Sequence, residues 1–240
     1  MLASVSAALR QLVRDELGME WADGSFTKIA GADFIPKKTP TKNLATGKKG
    51  HIPFDEGRLE VEKKIGFFQG AQEEVIEFGT TLNKFSTNLY SNPKEAFREH
   101  IENLLAKKVN FKCYMVDPKT PGLTPYFLDR ESVHAAESDH EYKIRQSIAR
   151  LHSVQEGVAA NGLPGSFEVF SYTHLPYSYF LAVDPATRNG KILVSPYLYG
   201  ITRAASPTFI ILRKDNPGLF TTYWDSLRAL MKNAKRIIPA

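Results

Sequence analysis

The sequence predicts an α/β fold: a mixed sheet covered by helices, with an N-terminal helix and a basic loop appended. Three observations carry this reading. Between residues 74 and 116 two apolar runs, Glu74–Gly79 and Val109–Val116, flank a helical pattern in which Phe97, Ile101, Leu104 and Leu105 share one face. A strand, a helix and a strand in about forty residues make a parallel pair bridged by a crossover. Three apolar strands follow, Ser166–Tyr172, Tyr177–Val183 and Lys191–Tyr197, with a fourth at Thr208–Arg213. The chain closes on a helix whose Phe220, Tyr223, Trp224, Leu227, Leu230, Met231 and Ala234 form a broad apolar face suited to that sheet.

Taken in order, residues 1–55 form the appended part and residues 56–240 the main domain. Leu2, Val5, Leu9 and Leu12 recur at helical spacing, predicting an amphipathic helix over 2–17 with Gly18 as its stop. Residues 34–54 hold three prolines, two glycines and five lysines (Lys37, Lys38, Lys42, Lys48, Lys49) without one acid, the composition of a long loop able to lie along phosphates. In the main domain a helix is expected from Arg58 to about Ala71, burying Leu59, Ile65 and Phe68. Residues 80–92 read as a polar loop, and Asn92 with Pro93 as the start of the next helix. Pro118–Pro125 reads as a turn-rich connection. A long helix from about Glu131 to Gln155 buries Ile144, Ile148 and Leu151, and Asn216 with Pro217 opens the last one.

Composition narrows the function classes. The 240 residues are 42% hydrophobic and 24% charged, ordinary for a globular chain, and the formal net charge of +5 permits a polyanionic partner without requiring one. A single cysteine, Cys113, inside an apolar run, excludes a disulfide framework and points to a buried thiol in a reducing, cytoplasmic setting. No run approaches the roughly 18 apolar residues of a membrane span. His134, Glu137, Asp139 and His140 cluster near the start of the long helix, but His134 and His140 are six apart and point to different sides of it, so no metal is expected.

The most informative stretch is Tyr172–Gly200, in which a strand ends at Asp184, a Pro185–Gly190 turn follows, and the next strand ends near Ser195. Together with GTTL (79–82) and VNFKCYMVDP (109–118), PYSYFLAVDPATRNGKILVSPYLYG (176–200) resembles degenerate members of the phospholipase D superfamily, and the resemblance runs over residues 58–236. That superfamily carries H-x-K-x4-D followed by a serine-containing segment. In this chain Tyr177 stands at the histidine position, Tyr179 at the lysine position and Asp184 at the aspartate. The resemblance implies a single half-unit that pairs as a homodimer and a chemistry without metal or cofactor.

Replacing the histidine by a phenol whose ordinary pKa is about 10, and the lysine by a neutral ring, removes both the nucleophile and the phosphate clamp. The first expectation is therefore a catalytically inactive sensor or interaction domain in a prokaryotic regulatory or defence context. It would bind an anionic or nucleotide-like ligand through Tyr177, Tyr179, Asp184, Ser195 and Arg203, with the two tyrosines on one face of their strand. The second is a metal-independent phosphodiesterase or nuclease with a reworked site, drawing on His174 with Ser195 or Lys191. The third is a noncatalytic nucleic-acid-binding module resting on the five lysines. No G-x-S-x-G, H-E-x-x-H or G-x-G-x-x-G pattern is present to support another chemistry.

Overall fold

The computed structural model describes residues 19–22, 25–28, 54–55, 57–90, 95–131 and 139–238. The expected helix over 2–17, the lysine loop and the Asn92–Pro93 helix start lie outside them. The chain divides into two compact units, residues 1–46 and 47–240. In the first, β1 (Met19–Ala22) and β2 (Ser25–Lys28) pair as an antiparallel hairpin with Met19 opposite Lys28 and Ala22 opposite Ser25.

The second unit is built on an eight-stranded mixed sheet. In chain order its elements are β3 (Phe54–Asp55), α1 (Val61–Phe68), β4 (Glu74–Phe78), α2 (Asn83–Tyr90), α3 (Glu95–Ala106), β5 (Asn110–Val116), α4 (Leu123–Glu131), α5 (His140–Ala160), β6 (Phe167–Tyr172), β7 (Ser178–Val183), β8 (Lys191–Pro196), β9 (Thr208–Leu212), α6 (Pro217–Met231) and β10 (Lys235–Ile238). The strands lie side by side as β10-β6-β5-β4-β7-β8-β9-β3. β4, β5 and β6 run parallel, and the other pairings are antiparallel. The α/β fold class, the mixed sheet and the parallel pair around a crossover are as the sequence predicts.

Alternation along the strands sends side chains to two layers. On one face Phe111 meets Phe68 of α1 and Phe85 of α2, with ring centroids 5.7 and 5.6 Å apart. On the other, Phe78 stacks on Tyr172 at 4.4 Å, and Phe180 meets Tyr223 of α6 at 6.3 Å. Both faces are covered, which is why the central strands read as continuous apolar runs.

Several elements depart from the sequence reading. α1 covers Val61–Phe68 rather than Arg58 to about Ala71, so Leu59 precedes it. Residues 83–90 form a helix where a polar loop was expected: Thr81 Oγ1 accepts the Asn83 N–H at 3.3 Å, and Phe85 and Leu89, one turn apart, are buried. α4 lies partly in the stretch read as a turn-rich connection. Its Pro125 falls in the first helical turn, where a missing N–H removes no helical bond. The long helix begins at His140 rather than Glu131, with Asp139 accepting the Tyr142 N–H at 2.8 Å, and it continues to Ala160. At the end of the chain β10 adds an edge strand to β6.

Tyr114 supplies a pH test of this packing. It stacks on Phe170 at 4.7 Å, and burial, with Glu74 and Glu168 nearby, pushes its hydroxyl up to about 12. Because the folded protein keeps that proton above pH 10, the contribution is complete below about pH 10 and disappears as pH rises through about 12. The two-unit difference corresponds to at most roughly 3 kcal/mol, less whatever solvent screening at the hydroxyl removes. Urea midpoints measured from pH 9 to 12 are expected to fall less steeply for Tyr114→Phe; equal slopes would show that the phenol is no more buried than in the unfolded chain.

Candidate functional site

β8 runs in the direction of β4, and β7 runs against both, so the ends of β4 and β8 meet the start of β7 at one end of these interior strands. A cleft of about 770 Å³ opens there. Gly79–Asn83, the segment from β4 into α2, forms one wall, and Arg58 with the turn Thr202–Ala204 forms another. Among the described residues six cations line it, Arg58, Lys64, Lys84, Arg130, Lys143 and Arg203, against two acids, Glu60 and Glu77.

The floor is a buried polar cluster. Glu77, 1% exposed, projects from β4 and takes an ion pair from Lys64 of α1 at 2.6 Å. The Tyr179 hydroxyl donates to the same Glu77 oxygen at 2.7 Å. Lys64 is also surrounded by aromatic faces, 4.7 Å from the Phe85 centroid and 5.6 Å from that of Tyr179. Burial lowers the Lys64 pKa, and the Glu77 carboxylate partly restores it. Tyr179 is held well above the ordinary phenol range by burial first and the Glu77 charge second. It is a neutral hydrogen-bond donor at physiological pH, not a phenolate.

Arg203 lies over the Tyr179 ring, its guanidinium carbon 4.6 Å from the centroid. Its position depends on a tight backbone approach. Arg58 N donates to Ala204 O at 3.0 Å, and a Cβ on Gly57 (φ +88°) would lie 2.4 Å from that oxygen, so only glycine fits beside the turn. Burial lowers the Arg203 pKa, and the Arg58 charge adds to the effect. On the other side Arg130 of α4 lies over Tyr197 at 4.9 Å, and the Tyr197 hydroxyl accepts the Thr80 N–H at 3.2 Å. Cations and tyrosines therefore alternate around the cleft, each ring bracing a guanidinium in a fixed orientation.

Of the residues that the sequence singles out, the structure brings Tyr179 and Arg203 into the cleft. Tyr177 does not join them: it is exposed and its hydroxyl meets Ser226 of α6 at 2.5 Å, with its ring against Phe180, which belongs to the opposite layer. The shared face expected for the two tyrosines is lost because Tyr177 precedes the first residue of β7. Asp184 is occupied elsewhere. Its carboxylate accepts the N–H groups of Gln72, Glu73 and Glu74 at 2.8–3.0 Å, fastening the turn after β7 to the entry of β4. Ser195 is fully buried and donates to Pro207 O at 2.8 Å.

His174, Ser195 and Lys191 are not assembled. His174 is exposed between β6 and β7. Lys191 begins β8 and Ser195 lies near its end, about 13 Å away along the strand. Lys191 Nζ instead donates to Gln69 O at 3.3 Å and sits over Phe67. Lys37, Lys38, Lys42, Lys48 and Lys49 lie outside the described residues, as do His134 and Glu137. Among the described residues no group of three or more His, Cys, Asp or Glu side chains is arranged to hold a metal ion, and no helix is long and apolar enough to cross a membrane.

Sequence reasoning missed Glu77, Lys64, Arg130 and Tyr197. Glu77 had a usable signal: a carboxylate within the apolar run VIEF of a strand covered on both faces needs a buried cation. Arg130 had none, because α4 itself was not expected. His140, which the sequence placed only in a cluster not expected to hold a metal, lines the cleft and stacks on Phe127 at 3.6 Å.

The fold and cleft define an α/β domain with a cationic, tyrosine-braced site at the strand ends. No protein-family model matches the sequence, and no curated protein matches it. The solved structures to which this chain is similar include the following two. One is TrmBL2, an archaeal chromatin protein described as having a novel mode of DNA binding, at 12% identity and a TM-score of 0.44, over 81% of this chain and 57% of that one. The other is phosphatidylserine synthase of Haemophilus influenzae Rd KW20, at 12% identity and a TM-score of 0.48, over 90% of this chain and 43% of that one. This chain spans about half the length of either.

Proposed function

We propose that this chain is a noncatalytic ligand-binding domain of the phospholipase D-like type, holding an anionic or nucleotide-like ligand in the cleft at the strand ends. The observation that carries the reading is Arg203, braced over Tyr179 in a cleft where cations outnumber acids while the Tyr179 hydroxyl is committed to Glu77. Such a site has fixed donors for an anion. It has no activated nucleophile at the motif positions: Tyr179 is held protonated, and Tyr177 is turned toward α6. The pairing of two half-units and a sensory role in regulation or defence are what the sequence resemblance adds.

Two measurements test this. Thermal melts with inorganic phosphate, pyrophosphate and nucleoside monophosphates are expected to show stabilisation by at least one of them, reduced roughly tenfold in apparent affinity by Arg203→Ala, the loss of one charge-assisted contact. A metal-free assay on a generic phosphodiester and on single- and double-stranded nucleic acid is expected to show no turnover. Hydrolysis that disappears in Tyr179→Phe or His174→Ala would replace the binding reading with an enzyme. Light scattering at twice the chain mass is the expected result for the pair.

A further inference from the structure

Two arginines share one wall of the cleft. Arg58 N donates to Ala204 O at 3.0 Å, so the chain at Arg58 lies directly against the residue that follows Arg203, and both side chains line the cleft. The wall is fastened on each side of that bond. The buried Thr208 hydroxyl donates to Gly57 O at 2.8 Å, and the N–H groups of Ala205 and Ser206 both donate to Thr202 O at 3.0 Å. Neither arginine serves an acid of the protein: among the described residues neither has a carboxylate within ion-pair distance, although Glu60 lines the same cleft.

The two arginines differ in setting. Arg203 is half-buried, with the Tyr179 ring centroid 4.6 Å from its guanidinium carbon. Its Nη1 is closed to solvent without a partner, which leaves the other edge of the guanidinium for a ligand. Arg58 is exposed. Burial lowers the Arg203 pKa and the charge of Arg58 lowers it further, so each positive charge is felt by the other across this wall. Two like charges held together without a carboxylate repel until an anion joins them, and the anion that balances both carries two charges. A phosphate monoester does so above its second pKa of about 6, whereas the bridging phosphate of a diester carries one charge.

Resting on the reading of the cleft as an anion site, we propose that Arg58 and Arg203 together hold a terminal, doubly charged phosphate, so that the cleft prefers phosphate monoesters to phosphodiesters. Arg203 supplies the donor of fixed orientation and Arg58 the exposed one. A nucleotide with a free terminal phosphate has the matching chemistry. The internal phosphates of a nucleic-acid strand, each singly charged, fit the pair less well.

The test is calorimetric titration of the full chain at pH 8 and low salt with adenosine 5′-monophosphate, with its methyl ester and with adenosine 5′-sulfate. The two analogues carry one charge fewer, and the sulfate keeps the monophosphate's shape. Both are expected to bind roughly tenfold more weakly than the monophosphate. Arg58→Ala is expected to remove most of that difference by weakening the monophosphate more than the analogues, and Arg58→Lys to keep more of it. An Arg58 with a structural role alone would weaken all three ligands alike, and thermal melts of the unliganded variants separate lost binding from lost folding. Equal affinity of the monophosphate and either analogue, or a preference unchanged in Arg58→Ala, would overturn the assignment of a doubly charged phosphate to this pair and leave the cleft an undiscriminating anion site. Failure of inorganic phosphate and of all three adenosine ligands to bind would overturn the anion site as well.

Discussion

Asp184→Ala is expected to lower the unfolding free energy by about 3–6 kcal/mol, from three backbone donors left without an acceptor at about 1–3 kcal/mol each with some relief by water. That is a large part of the stability of a typical domain, about 5–15 kcal/mol. The carboxylate takes Gln72 N on one oxygen and Glu73 N and Glu74 N on the other, and the Asp184 N–H donates back to Glu74 O at 2.9 Å. Asp184 also has φ +45°, a region that costs alanine more than asparagine or glycine. Asp184→Asn, which keeps one accepting oxygen, is expected to lose about half as much, and Asp184→Gly should separate the strain from the lost bonds. Urea unfolding of the three variants makes the comparison. If Asp184→Ala unfolded within 1 kcal/mol of the parent, the clamp would be unimportant, and a ligand role for this motif aspartate would return to consideration.

The second large effect is at the floor of the cleft. Glu77→Leu is expected to cost about 3–5 kcal/mol, because Lys64 is left charged, largely buried and without its partner. The surrounding rings of Phe68, Phe85, Phe97 and Tyr179 offer only partial compensation. The double variant Lys64→Met with Glu77→Leu fills the space with apolar atoms and should recover most of that loss, giving a coupling of about 2 kcal/mol or more in a double-mutant cycle.

The pH dependence of Glu77→Leu gives an independent check. The Lys64 pKa is already lowered in the folded protein, and removing Glu77 removes the charge that raises it. The unfolded chain then binds more protons between that depressed value and the ordinary lysine pKa of about 10.4, so the variant gains stability as pH rises through that window. A cycle without coupling, or a variant whose stability is flat from pH 7 to 10, would mean that Lys64 reaches water in the folded state.

Much of the fold was legible. The strands β4 to β9 were expected to within one residue, because a sheet covered on both faces writes its strands as short apolar runs bounded by glycine, proline and polar turns; the last helix starts at Pro217 as expected but ends at Met231, three residues before Ala234. The helix of residues 83–90 was not legible. Its Asn, Lys, Ser and Thr side chains read as a loop, and only packing of Phe85 against Phe97 and Phe111 makes the segment's two apolar positions decisive. α4 was hidden by Pro125 for a related reason: a breaker inside a helix and a proline in its first turn look alike until the helix start is known.

The site divides in the same way. Arg203 and Tyr179 were picked out by their nearness to a motif, and both line the cleft. Tyr177, Asp184 and Ser195 were picked out on the same ground, and their partners are Ser226, three amides and Pro207 O. The sequence by itself determined the α/β class, the crossover and the succession of strands, since period, turn residues and helix faces are local properties of the chain. Only the tertiary structure decided which of those residues share a cleft. Glu77 meets Lys64 from thirteen residues away and Tyr179 from 102, and Asp184 takes its donors from 110 to 112 residues earlier. At such separations the partners are set by strand order and register rather than by spacing along the chain.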